Sequence, residues 1–344
     1  MNTTLHIGGR SARKSSRGFS LVELMVAIAI GLVLVAGLVT LFANSSQSTN
    51  EIDKSIRQIE NGRYAAELLS ENISIAGYYG ELTTDGISLG TPAACAAAAG
   101  ALGWDNGLTA TPVVPVAPMS VTGFNATQAA ALTCLTNYKA GTPALVLRHL
   151  DTNFVTPGTA TDGNFYVQTS RCVTDPVATR FIISTASANF TLRDMNCTSI
   201  NKVQRYVTRI YYIAGCNECG VDTLPTLKRV ELRGTQMIVS PLAEGIEDVA
   251  YDYGFDTNND GTPDTYLTDL SGVVGAQDND WKNVVGIRMH MLSRTTEPSS
   301  GFTDSKTYDL GLSGTRGPFN DSFKRRAYTV TTRLNNVAGL RETP

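Results

Sequence analysis

The chain has 344 residues, of which 42% are hydrophobic and 17% are charged, and its formal net charge at pH 7 is −3. This length allows one large domain or two domains of ordinary size, and the apolar content is ample for a packed core. The acidic balance argues against a general nucleic-acid-binding protein, because such proteins present a positively charged surface. We therefore expect no specific nucleic-acid partner.

An apolar segment near the N-terminus predicts a membrane anchor. Within residues 19–43 the sole charged residue is Glu23, and a helix over this range would be roughly 37 Å long at about 1.5 Å per residue. A hydrocarbon core is about 30 Å thick, so such a helix is long enough to cross it. A carboxylate inside the anchor costs about 2.5 to 3.5 kcal/mol on insertion scales. Glu23 should therefore have a partner or a function.

Two simpler interpretations of this segment remain open. A secretory signal peptide would explain the four basic residues that precede the segment, but the apolar run is longer than a typical h-region, and no A-x-A site precedes the polar stretch that begins at Asn44. A plain signal anchor explains the length and leaves the basic leader in the cytoplasm. Neither interpretation gives Glu23 a function.

The block Gly18-Phe19-Ser20-Leu21-Val22-Glu23-Leu24 resembles the peptidase recognition site of type IV prepilins. The resemblance implies cleavage after Gly18, methylation of the new Phe19 amine, and polymerisation of the helices into a filament core. Glu23 lies one helical turn from Phe19, so its carboxylate can compensate the terminal ammonium of another subunit inside an apolar bundle. Loss of the leader, residues 1–18, would change the formal net charge from −3 to −7.

The same resemblance implies partners and a location. The expected partners are the prepilin peptidase, the inner-membrane pilus assembly machinery, membrane lipid, the major pilin and other minor pilins. The protein would first reside in the inner membrane with its head in the periplasm. It would then enter the pilus at the cell surface.

The helical pattern continues beyond the apolar segment. Apolar residues recur at three- and four-residue intervals up to Ala76, no proline occurs between Phe19 and Thr91, and Gly77 supplies a stop. We predict one helix over residues 19–76, whose amphipathic half packs on a head formed by residues 77–344. A coiled coil with a partner is the alternative for that half.

Residues 82–143 are rich in Ala, Gly, Thr and Pro and show weak periodicity. We predict a long, loop-rich insertion in the head, with Cys95 and Cys134 available to staple it. Trp104 argues against a fully disordered linker, because an indole usually needs a packed site.

From residue 144 onward, short runs rich in Val, Ile, Tyr and Thr predict β-strands. No helical pattern separates them, which favours an antiparallel sheet packed on the N-terminal helix and an α+β fold class. Some of these runs resemble the head strands of the PilW family of minor pilins, namely residues 209–213, 227–229, 284–288 and 325–334. The predicted strands cover residues 144–147, 165–169, 180–184, 203–213, 227–233, 246–255, 282–293 and 326–334.

An acidic stretch over residues 256–264 predicts a calcium site. Its D-x-N-x-D-G-x-x-D spacing matches the first nine positions of an EF-hand-like loop, in which Gly261 permits the sharp turn. Leu267 stands where the final glutamate would be, so a last ligand would come from elsewhere, with Asp269 and Asp252 as candidates. A metal-free turn is the alternative, because these residue types are common in turns. The predicted ligands are Asp256, Asn258, Asp260 and Asp264 through their side chains and Thr262 through its carbonyl.

The six cysteines follow the anchor, on the side expected to be exported, so we predict disulfides. Six cysteines allow fifteen pairings, and the simplest is the sequential one. The pair Cys216 and Cys219 could also be a redox pair or half of a zinc site, but no second C-x-x-C completes such a site. The predicted pairs are Cys95 with Cys134, Cys172 with Cys197, and Cys216 with Cys219.

Catalytic interpretations find little support in the sequence. None of the G-x-S-x-G, S-x-x-K or H-E-x-x-H arrangements occurs, and the histidines are His6, His149 and His290. The latter two lie in strand-like sequence, where a structural role is expected. The cationic run at residues 324–326 is predicted to be solvated charge beside a strand. We therefore expect no enzymatic activity.

The leading functional prediction is a minor pilin that helps to initiate or cap a type IV pilus. The nearest alternative is a minor pseudopilin of a type II secretion system, which shares the leader and the fold. A tip adhesin and an anchored periplasmic enzyme are further alternatives. Their distinguishing features, an exposed binding patch and a catalytic constellation, are not visible in the sequence.

Overall fold

The structure, a computed structural model, describes residues 18–82, 87–107, 114–175, 180–270 and 278–342. Residues 1–17 of the predicted leader, including His6, lie outside the described residues. The chain divides into two compact units, Met1–Asp53 and Lys54–Pro344. The α-helices are α1 (Leu21–Ile75), α2 (Ala126–Ala130) and α3 (Asn335–Gly339), and the 3₁₀ helices are Ala99–Ala101, Pro157–Thr159, Ser187–Asn189, Asp278–Asn283 and Gly311–Ser313.

Fifteen strands are present in the part of the chain that the structure describes. They are β1 (Ser88–Gly90), β2 (Val116–Pro118), β3 (Val121–Phe124), β4 (Ala144–Leu150), β5 (Tyr166–Thr169), β6 (Phe181–Ser184), β7 (Val203–Ala214), β8 (Thr226–Arg233), β9 (Gln236–Glu244), β10 (Ile246–Phe255), β11 (Thr265–Leu267), β12 (Val284–Arg294), β13 (Tyr308–Asp309), β14 (Thr315–Arg316) and β15 (Arg325–Arg333).

Two antiparallel sheets form the head. The four-stranded sheet has the order β11-β10-β12-β15, and the seven-stranded sheet has the order β3-β4-β7-β5-β6, with β8 and β9 continuing from β7. β1 and β2 form a separate parallel pair, and β13 and β14 form an antiparallel pair. The fold is therefore α+β, with a long apolar N-terminal helix and an antiparallel β-rich head, as the sequence predicts.

Helix α1 ends where the sequence places its stop. Gly77 has a φ of +77°, a conformation that glycine adopts without steric cost, and its N–H donates to the carbonyl of Arg148 on β4. This bond ties the end of the helix to the seven-stranded sheet.

The main core lies where the C-terminal half of α1 meets both sheets. Ala65, Leu69 and Ile73 on the helix are fully buried, together with Tyr211 from the seven-stranded sheet and Ile287 from the four-stranded sheet. Burying a leucine or isoleucine side chain contributes about 1.5 to 3 kcal/mol. The helix is therefore part of the core of the head rather than an attachment to it.

Residues 82–143 contain five short elements, namely β1, the 3₁₀ helix Ala99–Ala101, β2, β3 and α2, separated by stretches without regular structure, and parts of this range pack into the head. Strand β3 pairs with β4 at the edge of the seven-stranded sheet, and Val121 is buried in the main core. Trp104 packs edge-on against Tyr79, Phe181 and Tyr206, with ring centroids 5.0–5.6 Å apart. These strands are only three or four residues long, too short for a periodic pattern.

Strand β9 is not among the predicted strands, because its sequence contains Pro241, which lowers the strand signal. The structure places β9 at an edge, where it pairs with β8 alone. An edge strand tolerates proline because one side of its backbone needs no partner.

The prediction of solvated charge at residues 324–326 is wrong for Arg325. The side chain of Arg325 is 1% exposed. Its guanidinium binds three carboxylates, those of Glu247 at 2.5 Å, Asp321 at 2.6 Å and Asp304 at 3.0 Å. It also lies over the ring of Phe319, 3.7 Å from the ring centroid. Burial opposes the charge, but the three carboxylates raise the pKa of Arg325 above its ordinary value. The first residue of β15 is thus fixed by ionic contacts.

The buried acid Glu231 is surrounded by arginines on β7 and β8. Burial alone would raise the pKa of Glu231, but the neighbouring guanidinium groups outweigh burial and lower it. The carboxylate is 3% exposed and lies within 3.5 Å of one nitrogen from each of Arg205, Arg209, Arg229 and Arg233. Arg209 also donates to Asn72, so this cluster connects the sheet to α1.

Replacing Arg325 should destabilise the head strongly. Arg325→Met leaves Asp304 buried without its cation and leaves Glu247 only the longer contact with Arg294 at 3.7 Å, and we expect a loss of about 3 to 5 kcal/mol of unfolding free energy at pH 7. Urea unfolding of the detergent-solubilised chain, followed by tryptophan fluorescence, measures it.

The matched control is Arg326→Met on the exposed neighbouring residue, for which we expect a change within about 0.5 kcal/mol.

The hydrogen bonds from Arg325 lower the pKa of Asp321. The stability from this contact is therefore present above the unfolded pKa of an aspartate and is lost as the pH falls through the lower folded value, so the defect should shrink below about pH 4. Equal effects of both substitutions would contradict the ionic role of Arg325.

Candidate functional site

The N-terminus of α1 is organised by a reciprocal pair of hydrogen bonds. The N–H of Ser20 donates to Oε2 of Glu23 at 2.9 Å, and the N–H of Glu23 donates to Oγ of Ser20 at 3.2 Å. This S-x-x-E arrangement is a capping box, which satisfies two amide groups that a helix end leaves unpaired. Sequence reasoning gave Glu23 only a role between subunits, although the motif was visible. The structure gives the side chain a local role as well.

The first half of α1 exposes its apolar side chains. Phe19 is 87% exposed, and the large apolar residues from Leu21 to Phe42 are all more than half exposed. The helix is long and apolar enough to cross a membrane, and no part of its most apolar stretch is buried in the protein. A helix that is apolar on all sides needs lipid or other apolar helices around it. Glu23 lies at the beginning of this surface.

The acidic loop at residues 256–264 joins β10 to β11. Three of its side chains converge, because Nδ2 of Asn258 lies 3.0 Å from Oδ2 of Asp260 and 3.3 Å from Oδ1 of Asp264. Gly261 has a φ of +83°, as a sharp turn at this position requires. The loop therefore has the predicted turn, and its polar side chains face one another.

The remaining predicted ligands have other contacts. Asp256 is buried; one oxygen accepts from the N–H of Asn259 and the other from the N–H of Gly261 and from Arg341 at 3.0 Å. Burial raises the pKa of Asp256, but these donors outweigh it and lower the value. The two candidates for a last ligand are also engaged, since Asp252 pairs with His290 and Asp269 accepts from Asn125.

No group of three or more His, Cys, Asp or Glu side chains suited to a metal ion occurs within the described ranges. A calcium site here would therefore depend on the Asn258 oxygen and the Thr262 carbonyl in addition to the carboxylates. Calcium binding stays a prediction.

The structure contains three disulfides in the sequential pairing. Cys95–Cys134 lies within residues 82–143, Cys172–Cys197 spans the segment around β6, and Cys216–Cys219 closes a turn between β7 and β8. Their Cα atoms are 4.9–5.7 Å apart, within the usual range for a disulfide. No cysteine among the described residues is free.

Both described histidines are structural in their contacts. His290 on β12 bridges Asp252 on β10, at 3.0 Å, and Thr329 on β15, at 3.1 Å. Nδ1 of His149 lies 2.8 Å from the carbonyl of Leu150, and burial lowers the pKa of His149. The contacts of His290 link three neighbouring strands of the four-stranded sheet.

Two segments of this chain match known protein families. Residues 13–39 match the prokaryotic N-terminal methylation motif, and residues 210–336 match the family described as Type IV Pilus-assembly protein W, PilW. The chain therefore contains an N-terminal methylation motif and a segment similar to the PilW family, called the PilW domain below. A type IV-like pilin from Thermus thermophilus aligns over 82% of this chain and 97% of its own, with a TM-score of 0.34 and 10% identity. Comparison with curated proteins gives no match.

The two matches cover different features of the chain. The methylation motif covers Gly18, Phe19 and Glu23 together with most of the exposed apolar surface. The PilW domain covers the acidic loop, the Cys216–Cys219 pair and the Arg325 cluster. Residues 40–209 lie outside both matches, and they contain the other two disulfides.

Proposed function

We propose that this protein is a minor pilin that acts at the start or the cap of a type IV pilus. The proposal rests on one combination: a methylation motif on an exposed apolar helix, and a PilW domain in the same chain. The motif supports insertion into a filament core, and the name of the matched family supports a role in pilus assembly. Partners in this role are the prepilin peptidase, the assembly machinery and other pilins.

The geometry at the N-terminus supports a mechanism for incorporation. Cleavage after Gly18 would leave Phe19 as the first residue, directly before the capping box. One oxygen of Glu23 holds the N–H of Ser20, and a carboxylate has further acceptor positions. Those positions can receive the methylated ammonium of a neighbouring subunit, which compensates two charges inside an apolar bundle.

The size of the head supports a minor rather than a major subunit. Residues 88–130 contribute five secondary-structure elements besides the strands predicted from residue 144 onward, and their packing into the sheet and core makes them a fixed part of the head. A folded segment of this size would collide with its neighbours if identical subunits stacked at short axial intervals. A subunit of this kind would act once per filament, through contacts with other minor pilins.

Deletion of the gene tests this role. We expect a strong reduction of surface pili and of the motility or adhesion that they support, with partial recovery of pili in cells that cannot retract them. The protein should be far rarer than the major subunit in sheared pili. Stoichiometric presence along the shaft would reject the minor-pilin role. Intact pili with lost protein secretion would favour the pseudopilin alternative.

Glu23→Gln separates the two roles of Glu23. Glutamine at this position keeps the capping box, because its side-chain oxygen can still accept from Ser20, but it removes the charge. We expect the variant to insert into the membrane and to be lost from pili, at least tenfold by immunoblot of the sheared fraction.

Ser20→Ala is the matched control, since it removes one half of the cap and retains the carboxylate. Its expected cost is about 1 kcal/mol of local helix stability, without loss from pili. Normal incorporation of Glu23→Gln, or an equal loss for Ser20→Ala, would contradict the pairing between subunits.

Calcium in the 256–264 loop is a second proposal, supported by the ligand spacing and by the convergence of Asn258, Asp260 and Asp264. Extracellular modules of this type bind with dissociation constants on the order of 10⁻⁴ to 10⁻³ M. At one hundred times the dissociation constant, the added stability would be roughly 2.7 kcal/mol. A calcium titration, with melting followed in parallel, measures both quantities.

Three variants make this test specific. Asp260→Ala should abolish the calcium-dependent shift, and Glu218→Ala, an exposed acid outside the loop, should leave it unchanged. Arg341→Ala should increase the affinity, because the guanidinium competes for an oxygen of Asp256. The site is refuted by an unchanged melting temperature at millimolar calcium, or by a shift that persists in Asp260→Ala.

A further inference from the structure

The Cys216–Cys219 disulfide differs from the other two in its exposure. Cys219 is exposed, whereas the other five disulfide cysteines are buried or half-buried. The two cysteines are only three residues apart, compared with 39 and 25 for the other pairs. A short loop constrains the unfolded chain least, so this bond contributes least to the stability of the fold. An incoming thiol can therefore open it with the smallest loss of structure.

A buried amine lies beside this disulfide. Lys228 on β8 is 6% exposed, and its Nζ is 3.6 Å from Sγ of Cys219 and 3.0 Å from the carbonyl oxygen of Asn217. An ammonium at this distance stabilises a thiolate more than a thiol, and a stabilised thiolate is a better leaving group. The other two disulfides have neutral groups beside a sulfur: the N–H of Cys134 lies 3.3 Å from Sγ of Cys95, and Oγ1 of Thr174 lies 3.0 Å from Sγ of Cys172. These two pairs serve as internal references.

The loop around the disulfide is held by bonds that do not involve sulfur. The carboxylate of Asp222 accepts from the N–H groups of Asn217, Glu218 and Leu224 at 2.7–2.9 Å, and the Asn217 side chain donates to Glu244 at 2.7 Å. Asp222 also interacts electrostatically with Lys228, and both carboxylates accept from N–H groups. Because they are occupied by N–H donors, the loop should keep its shape after the bond opens, and the two sulfurs should stay close enough to rejoin.

We propose that Cys216–Cys219 is a site of reversible thiol–disulfide exchange with low-molecular-weight thiols. The thiolate of the external thiol attacks Sγ of Cys216, a new sulfur–sulfur bond forms there, and the original bond breaks. Its electron pair leaves on Sγ of Cys219, beside Lys228. The products are a mixed disulfide on Cys216 and a thiolate on Cys219. Attack by Cys219 on Cys216 reverses the step and releases the external thiol, so no other oxidant or reductant is needed.

Reduced glutathione is the probe for this site. The full chain in detergent is incubated with millimolar glutathione, quenched with N-ethylmaleimide, and mapped by peptide mass spectrometry. We expect glutathione on Cys216 and N-ethylmaleimide on Cys219 while the other two pairs remain closed. Earlier or equally fast opening of Cys95–Cys134 or Cys172–Cys197 would overturn the proposal, and so would glutathione found mainly on Cys219.

Substitution of Lys228 tests the role of the amine. Lys228→Met should slow opening by roughly threefold to tenfold, because the leaving thiolate loses its counter-charge, and Lys228→Arg should retain most of the rate. Melting temperatures identify any loss of folding. A rate in Lys228→Met equal to that of the original chain would contradict the proposal.

A second readout does not depend on the opening rate. In Cys216→Ser the Cys219 thiol is free, and the pH dependence of its alkylation gives its pKa. We expect this pKa to lie below the ordinary value of about 8.5 and to rise when Lys228→Met is added. A purely structural lysine would leave the pKa unchanged, and that result would reject the exchange site.

Discussion

The packing of the C-terminal half of α1 against both sheets is the constraint on which the head depends. Ala65, Leu69 and Ile73 are fully buried in a core that takes residues from each sheet. Small residues permit this close approach, since a Cβ on Gly62 would lie 2.5 Å from the ring of Tyr328 on β15. The head therefore cannot form its core without the C-terminal half of α1.

Buried ion pairs add specificity to this apolar core. Arg325 fixes the beginning of β15 through ion pairs with three carboxylates. Glu231 forms ion pairs with four arginines from β7 and β8. Such groups are costly to bury and tolerate few alternative arrangements, because each charge needs its partners in place. In the four-stranded sheet, the register that pairs Arg325 of β15 with Arg294 of β12 belongs to the same strand pair that places Ile287 of β12 in the core.

Long periodic elements could be predicted from the sequence, and short or context-dependent features could not. The helix over 19–76 and the strands at 246–255 and 203–213 agree with α1, β10 and β7 within two residues at each end. β3 could not be predicted, because its four residues include Gly123, which has no side chain to contribute to the alternation of apolar and polar residues that indicates a strand. The burial of Arg325 depends on Glu247, 78 residues away in sequence, so local charge could not reveal it. The S-x-x-E motif at Ser20 is enough to predict the capping box, but the sequence analysis assigns Glu23 only a role between subunits.

The central claim is that the exposed apolar helix, headed by Phe19 and Glu23, is processed for entry into a filament. Intact-mass analysis of the protein purified from its native membrane tests this claim most directly. The account predicts a chain that begins at Phe19 and carries one methyl group on its amine. A chain that retains residues 1–18 in cells with active prepilin peptidase would contradict it.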